Sequence, residues 1–214
     1  MKITRFCILI LLLAFCASGI SAQKVQLSLS GNYGNVHDDY ESKDFRALGV
    51  ALGLELKVSR HFTLGGDLDW QRFESELAIA SPYSQVLGLP SLAYSIDRHQ
   101  INVRPTLRYY FKRAFKGLYV GAFGNYSYLT IGTSDYPQDP GYLPDLYTDP
   151  SDDFYYGAGL TYGFRLKLTG SLYASAYGSH QFSRNSTYKG RDQQDHQFGL
   201  GLNWVFNGKK STGE

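Results

Sequence analysis

The stretch Gln197-Phe198-Gly199-Leu200-Gly201-Leu202-Asn203-Trp204-Val205-Phe206 decides the fold. Phe198, Leu200, Leu202, Trp204 and Phe206 fall on one parity; Gln197, Gly199, Gly201, Asn203 and Val205 fall on the other. Successive side chains of a strand point to opposite faces, so this segment has one wholly apolar face and one small or polar face. A soluble sheet turns such a face to a core, and a membrane barrel turns it to lipid.

The same alternation recurs upstream, without a stretch of helical periodicity. Val25, Leu27, Leu29 and Tyr33 alternate with Gln26, Ser28, Ser30 and Asn32. Leu48 to Val58 alternate with Gly49, Ala51, Gly53, Glu55 and Lys57. Phe62, Leu64, Leu68 and Trp70 are interleaved with Thr63, Gly65, Asp67 and Asp69, and Ile101 to Phe111 with Asn102, Arg104, Thr106 and Arg108. Leu118, Val120 and Ala122 lead on to Tyr126 and Tyr128, and Phe154 to Leu166 alternate with Gly157, Gly159, Thr161, Gly163 and Arg165. The segment 171–183 is the least clear, because Tyr173 and Tyr177 share a parity with Ser175 and Ser179. The count is eight strands.

Short connections (59–61, 112–116, 168–170) alternate strictly with long ones (about 35–44, 79–97, 131–152 and 184–194). An up-and-down meander places all short turns at one end and all long loops at the other, as transmembrane barrels of the outer membrane do. An eight-stranded barrel has an interior only wide enough for side chains to fill. The small, polar parity therefore suits the lumen and the bulky apolar parity the outside. Glu55, Asp67, Asp69, Arg104, Arg108 and Arg165 would sit in lipid if the barrel were inverted, at roughly 2–4 kcal/mol for a cation at the midplane. A soluble lipocalin-like barrel would instead have to line a cavity with Leu48, Val50, Leu52 and Leu54. Closure removes the strand edges that lipid cannot satisfy. The expected fold is thus all-β: an antiparallel up-and-down transmembrane β-barrel of eight strands, with short periplasmic turns and long extracellular loops.

The N-terminus agrees. Lys2 and Arg5 precede an apolar run, Phe6 to Phe15, that ends in Gly19-Ile20-Ser21-Ala22, the order of a secretory signal. The run is too short for a membrane helix, which needs about 20 residues. Cys16 raises lipidation as an alternative, but Phe15 occupies the position where such signals want a small residue. The expected organisation is a signal peptide over 1–22, a barrel over 23–206 and a polar tail over 207–214. Loss of 1–22 removes Cys7 and Cys16, and with them disulfide and thiolate chemistry. It leaves 19 basic against 19 acidic residues, and nothing in that balance argues for nucleic acid. The 18 Tyr and 23 Gly suit a membrane barrel.

On these residues the chain resembles the small eight-stranded outer-membrane proteins, the OmpA/OmpX-like barrel superfamily, over 23–206. The sharpest motif is the assembly signal of such proteins: Gln197, Gly199, Leu202 and Trp204 match its polar, glycine and hydrophobic positions in order, and Phe206 supplies the terminal aromatic. The resemblance implies an integral outer-membrane location, contact with outer-membrane lipid and lipopolysaccharide, and the barrel-assembly machinery as a partner during insertion. The polar tail after Phe206 departs from the pattern, and no peptidoglycan-binding domain of the full OmpA type is expected.

Glu55, Lys57, Asp67, Asp69, Arg104, Arg108 and Arg165 are the candidate site: a network of inward charges. Isolated buried charges cost several kcal/mol, and pairing is the usual remedy. Two uses follow, a plug that fills the lumen or a gate whose pairs exchange partners to pass ions. Tyr33, Trp70, Tyr109, Tyr126, Tyr128, Tyr156, Phe164, Trp204 and Phe206 suit interfacial girdles. Residues 133–153 hold six Asp and no Lys or Arg, a loop that can meet divalent cations or a protein partner, although its spacing is not that of an EF-hand. The loop 79–97 carries Val86, Leu87, Leu89 and Leu92, and the loop 184–194 carries Arg184, Lys189 and Arg191, within reach of lipopolysaccharide phosphates. A lipid A deacylase of this size needs His and Ser two residues apart on one face. Here His180 is followed by Phe182, and Ser183 has the opposite parity, so no catalytic residue is expected. His37, His61, His99, His180 and His196 show no metal-ligand spacing, and no cofactor is expected. The functional expectation is a non-enzymatic barrel with a structural or surface-interaction role; a narrow gated channel is the alternative, and a lipid A-modifying enzyme the third.

Overall fold

The computed structural model describes residues 24–38, 43–79, 92–133, 152–186 and 192–206. The expected signal, the acidic stretch 134–151, Val86, Leu87 and Leu89, Lys189 and Arg191, and the tail lie outside the described residues.

Eight antiparallel strands form a closed barrel in sequence order. They are β1 (Val25–Asp38), β2 (Lys43–Lys57), β3 (Phe62–Ile79), β4 (Leu92–Tyr110), β5 (Gly117–Thr133), β6 (Asp152–Thr169), β7 (Leu172–Asn185) and β8 (Asp192–Phe206). Closure is made by β1 against β8, with Val25 opposite Phe206 and Asp38 opposite Gln193. The segment 197–206 thus lies between β1 and β7. Its apolar parity faces out: Leu200 is 73% exposed, while Gln197 and Asn203 are buried. All nine residues expected in aromatic girdles have the outward parity of their strands.

Two expectations are corrected. First, the strands run on into segments read as loops: 35–38, 43–44, 92–97, 131–133, 184–185 and 192–194 are paired strand. The reason is a change of phase. A membrane-crossing strand needs only about 9–11 residues, and these strands have 14 to 19. Beyond the apolar band the outward positions turn polar (Asn35, Arg46, Arg72, Arg184), while Val36, Phe45, Phe73, Leu129 and Tyr155 point inward as one buried cluster. Alternation persists with apolar and polar exchanged, so a search for apolar outward positions stops short.

Second, the lumen is not reserved for small side chains. Tyr110, Tyr119, Phe123 and Tyr177 all point into it, and β7, the unclear strand, has Tyr173 and Tyr177 inside and Ala174, Ala176 and Gly178 outside. Room comes from glycines opposite the rings. Tyr119 faces Gly163 and Phe123 faces Gly159 across β5–β6, and Tyr177 faces Gly199 across β7–β8. A Cβ on Gly199 would lie 2.3 Å from the Tyr177 ring, and one on Gly159 2.4 Å from that of Phe123. The abundance of Tyr and Gly is in part this cross-strand fit.

Candidate functional site

From the turn end upward, the lumen is filled in layers. The β4–β5 turn closes the bottom. Phe115 takes a left-handed backbone (φ 68°), rare for a bulky residue, and is buried in a cluster with Tyr110, Ala114, Tyr119 and Val205. The turn is tied to its neighbour by Ala114 N–H donating to the Arg60 carbonyl at 2.8 Å.

Above it sits the first ionic layer, centred on Glu55. Its Oε2 accepts from Arg108 at 2.9 Å and from Arg165 at 2.7 Å. Its Oε1 accepts from the Tyr110 hydroxyl at 2.7 Å and from Thr63 Oγ1. A carboxylate offers about four acceptor sites, and all four are used. Arg108 also donates to Asp67 at 2.5 Å. Arg165 donates to Gln26 Oε1 at 2.9 Å and to the Tyr110 hydroxyl. Two carboxylates and two guanidiniums make this layer neutral, which is the condition for holding charges in a low-dielectric interior.

The second layer is centred on Asp69, which is fully buried. Arg104 lies 3.1 Å from it and 3.7 Å from Asp195, and donates to Gln197 Oε1 at 3.1 Å. Asn32 donates to Asp69 at 2.8 Å, Gln71 at 2.5 Å and Asn102 at 3.2 Å. Gln197 in turn donates to Asp195 at 2.6 Å. Between the layers lies a polar cavity of about 50 Å³, lined among others by Asp67, Arg104, Thr106 and Arg108, with the size and polarity to hold water. A third, uncharged layer links Ser127 to Asn102 at 2.6 Å and Asn125 to Ser183 at 3.3 Å. The loop-end apolar cluster closes the top, with the Arg98 guanidinium 4.5 Å above the Phe45 ring.

Of the seven candidate charges, the structure therefore brings together Glu55, Asp67, Arg108 and Arg165 in one layer and places Asp69 and Arg104 in the next. Lys57 stands apart at the turn-end rim, half-buried, with no ion pair among the described residues. Asp195 and the neutral partners Gln26, Asn32, Thr63 and Tyr110 complete these layers and are not among the seven candidate charges. Asp195 shares the parity of Gln197, the signal that would have found it. Gln197 and Gly199, which carry the expected assembly signal, face the interior as their parity implies: one bonds Arg104, the other leaves space for Tyr177. Leu202, Trp204 and Phe206 face outward.

On the outer wall, His180 and His196 are direct cross-strand partners with Nδ1 atoms 2.6 Å apart, and Phe182 meets His180 edge-on. Ser183 points into the lumen, bonded to Asn125 and Gln181, so the two groups of a deacylase pair stand on opposite faces.

A closed barrel of eight strands with an apolar exterior and a charged, filled interior is the structure of a small membrane barrel, and the comparisons place it. Residues 7–206 match the outer membrane protein beta-barrel domain family, and the chain belongs to that family. Among solved structures, Ail, the attachment invasion locus protein of Yersinia pestis, in complex with the heparin analogue sucrose octasulfate, is similar at TM-score 0.54 and 10% identity, covering 86% of this chain and 99% of that one. Neisserial surface protein A is similar at TM-score 0.51 and 12% identity, covering 86% and 97%. At these identities the likeness is one of fold. No curated protein sequence matches the chain.

Proposed function

We propose that this outer-membrane barrel is a sealed, non-enzymatic scaffold that holds its loop end clear of the membrane for contact with an external partner. The observation that carries the reading is the filled lumen: an apolar cluster at each end and two ionic layers between them, linked by side chains from opposite walls. A conducting pore needs an open path through its constriction, and apolar side chains take up part of this interior at each end. Glu55 and Asp69, with every carboxylate oxygen engaged, serve as structural fasteners in this reading. The strands rise past the apolar band as a polar collar carrying Asn35, Arg46, Arg72 and Arg184, a stiff base for the segments beyond. Interaction surfaces are commonly carried by loops on such rigid scaffolds.

In the same reading, residues 1–22 direct export, the barrel-assembly machinery engages the terminal strand through Gln197, Gly199, Leu202, Trp204 and Phe206, and the loop end faces the lipopolysaccharide leaflet. The test is planar-bilayer recording of the purified barrel beside a cell-surface binding assay. No steps of conductance, together with surface binding lost on deleting 134–150 from a barrel that still folds, is the expected pair of results. Steady conductance altered by Arg104→Ala would overturn the sealed scaffold in favour of a channel, and a change in lipid A mass abolished by His180→Ala would establish an enzyme.

A further inference from the structure

We propose that the outer wall of β5 and β6, at the turn end, holds one anionic phospholipid of the leaflet that this end faces. The proposal rests on the orientation adopted above, in which the short turns are periplasmic.

The site is a groove of about 440 Å³ on the outside of the barrel, within the roughly 300–1,000 Å³ of small-molecule sites. Its floor is Phe111, Leu118, Phe164 and Leu166, and Lys112, Lys116 and Lys167 stand around it. Leu118 and Phe164 are register partners, 59% and 43% exposed, so this floor is lipid-facing strand surface. The local backbone builds the basic edge. Phe115 turns its ring inward to plug the lumen, which leaves its neighbours Lys112 and Lys116 outside, both exposed. Gly117, at φ 84°, then returns the chain into β5, and the stem of Lys112 lies 3.7–3.9 Å from where a Cβ on Gly117 would stand. Lysine stems lie along apolar surface while their ammonium groups seek a polar or anionic partner.

An apolar floor edged by three ammonium groups is complementary to an acyl chain joined to a phosphate of net negative charge. A zwitterionic lipid offers the same chain but carries its own compensating cation. No Asp or Glu stands on this rim among its described residues to compete with the anion for the three ammonium groups. Basic pockets of this kind at a membrane surface recognise anionic headgroups.

The test is native mass spectrometry of the detergent-purified protein titrated with phosphatidylglycerol or with phosphatidylcholine of the same chains. One phosphatidylglycerol retained at least tenfold more strongly than phosphatidylcholine is expected. Lys112→Ala/Lys116→Ala/Lys167→Ala should abolish the preference, the triple arginine variant should keep it, and Lys24→Ala/Arg60→Ala should leave it unchanged. Heat-dependent gel mobility checks that each variant is folded. Equal retention of the two lipids, equal loss in Lys24→Ala/Arg60→Ala, or displacement by millimolar inorganic phosphate would overturn the proposal. Labelling of Arg113→Cys in intact cells by a membrane-impermeant reagent separates the two readings: labelling from outside would overturn the orientation and leave a lipid preference in detergent standing.

Discussion

Glu55 on β2 and Arg165 on β6 are 110 residues apart in the chain, four strands apart around the barrel, and 2.7 Å apart across its lumen. This pair joins opposite walls. Arg108, on β4 between them, shares the same carboxylate oxygen at 2.9 Å, so one acid fastens three strands. Removing one partner of a buried pair leaves an uncompensated charge, and that loss exceeds what the intact pair contributes.

Glu55→Gln should therefore destabilise the folded barrel by about 3–5 kcal/mol, the range for breaking a buried ion pair. Two guanidiniums would then face an amide that has one acceptor oxygen instead of two. Urea unfolding in detergent, followed by tryptophan fluorescence and gel mobility, reads the effect. In Glu55→Leu/Arg165→Met the loss should be smaller than the sum of the two single changes. Strict additivity would show that the two residues act independently.

Gly199→Ala tests the fit of the terminal strand. The new methyl would stand 2.3 Å from the Tyr177 ring, and overpacking of this kind costs about 1–3 kcal/mol. Refolding into detergent, with no assembly machinery present, isolates the packing term. Tyr177→Ser in the same chain should recover most of the lost stability. Unchanged stability of Gly199→Ala in detergent would instead place the role of Gly199 in recognition during insertion.

Phe115→Ala removes a ring from the bottom cluster but leaves the Glu55 layer directly above it. Bilayers containing the variant should stay electrically silent, and combination with Glu55→Ala should raise leakage above that of either single change. Conductance from Phe115→Ala alone would mean that the ring is the gate.

Position along the outer wall sets the cost of a surface charge. Leu200→Arg, in the middle of the apolar band, should cost about 2–4 kcal/mol in lipid. Asn35→Leu, in the polar collar, should change stability little, because surface changes away from special features usually fall within about 0.5 kcal/mol. Equal effects in vesicles would contradict the band-and-collar division.

Alternation made most of the fold legible. Phe198 to Phe206 and the parallel runs in β2, β3, β4 and β6 show which parity meets lipid, since charges on the other parity have no tolerable place outside. Legibility ended where the environment changed along a strand. Val36, Phe45 and Phe73 are apolar and inward, with the opposite phase to Leu29, Leu48 and Trp70 on the same strands. A pattern defined by outward grease therefore lost the upper strand ends.

What the sequence determined by itself is the strand count, the face of each residue within the apolar band of every strand but β7, and the need for the inward charges to be neutralised. All of these follow from period-two geometry and the cost of charge in lipid. Only the tertiary structure decided which charges meet. Asp67 is the register partner of Arg104, yet it is bonded by Arg108, while Arg104 reaches past it to Asp69 and to Asp195 on β8. Long guanidinium side chains select the carboxylate that the tilt and closure of the barrel bring within reach, and that selection depends on all eight strands at once.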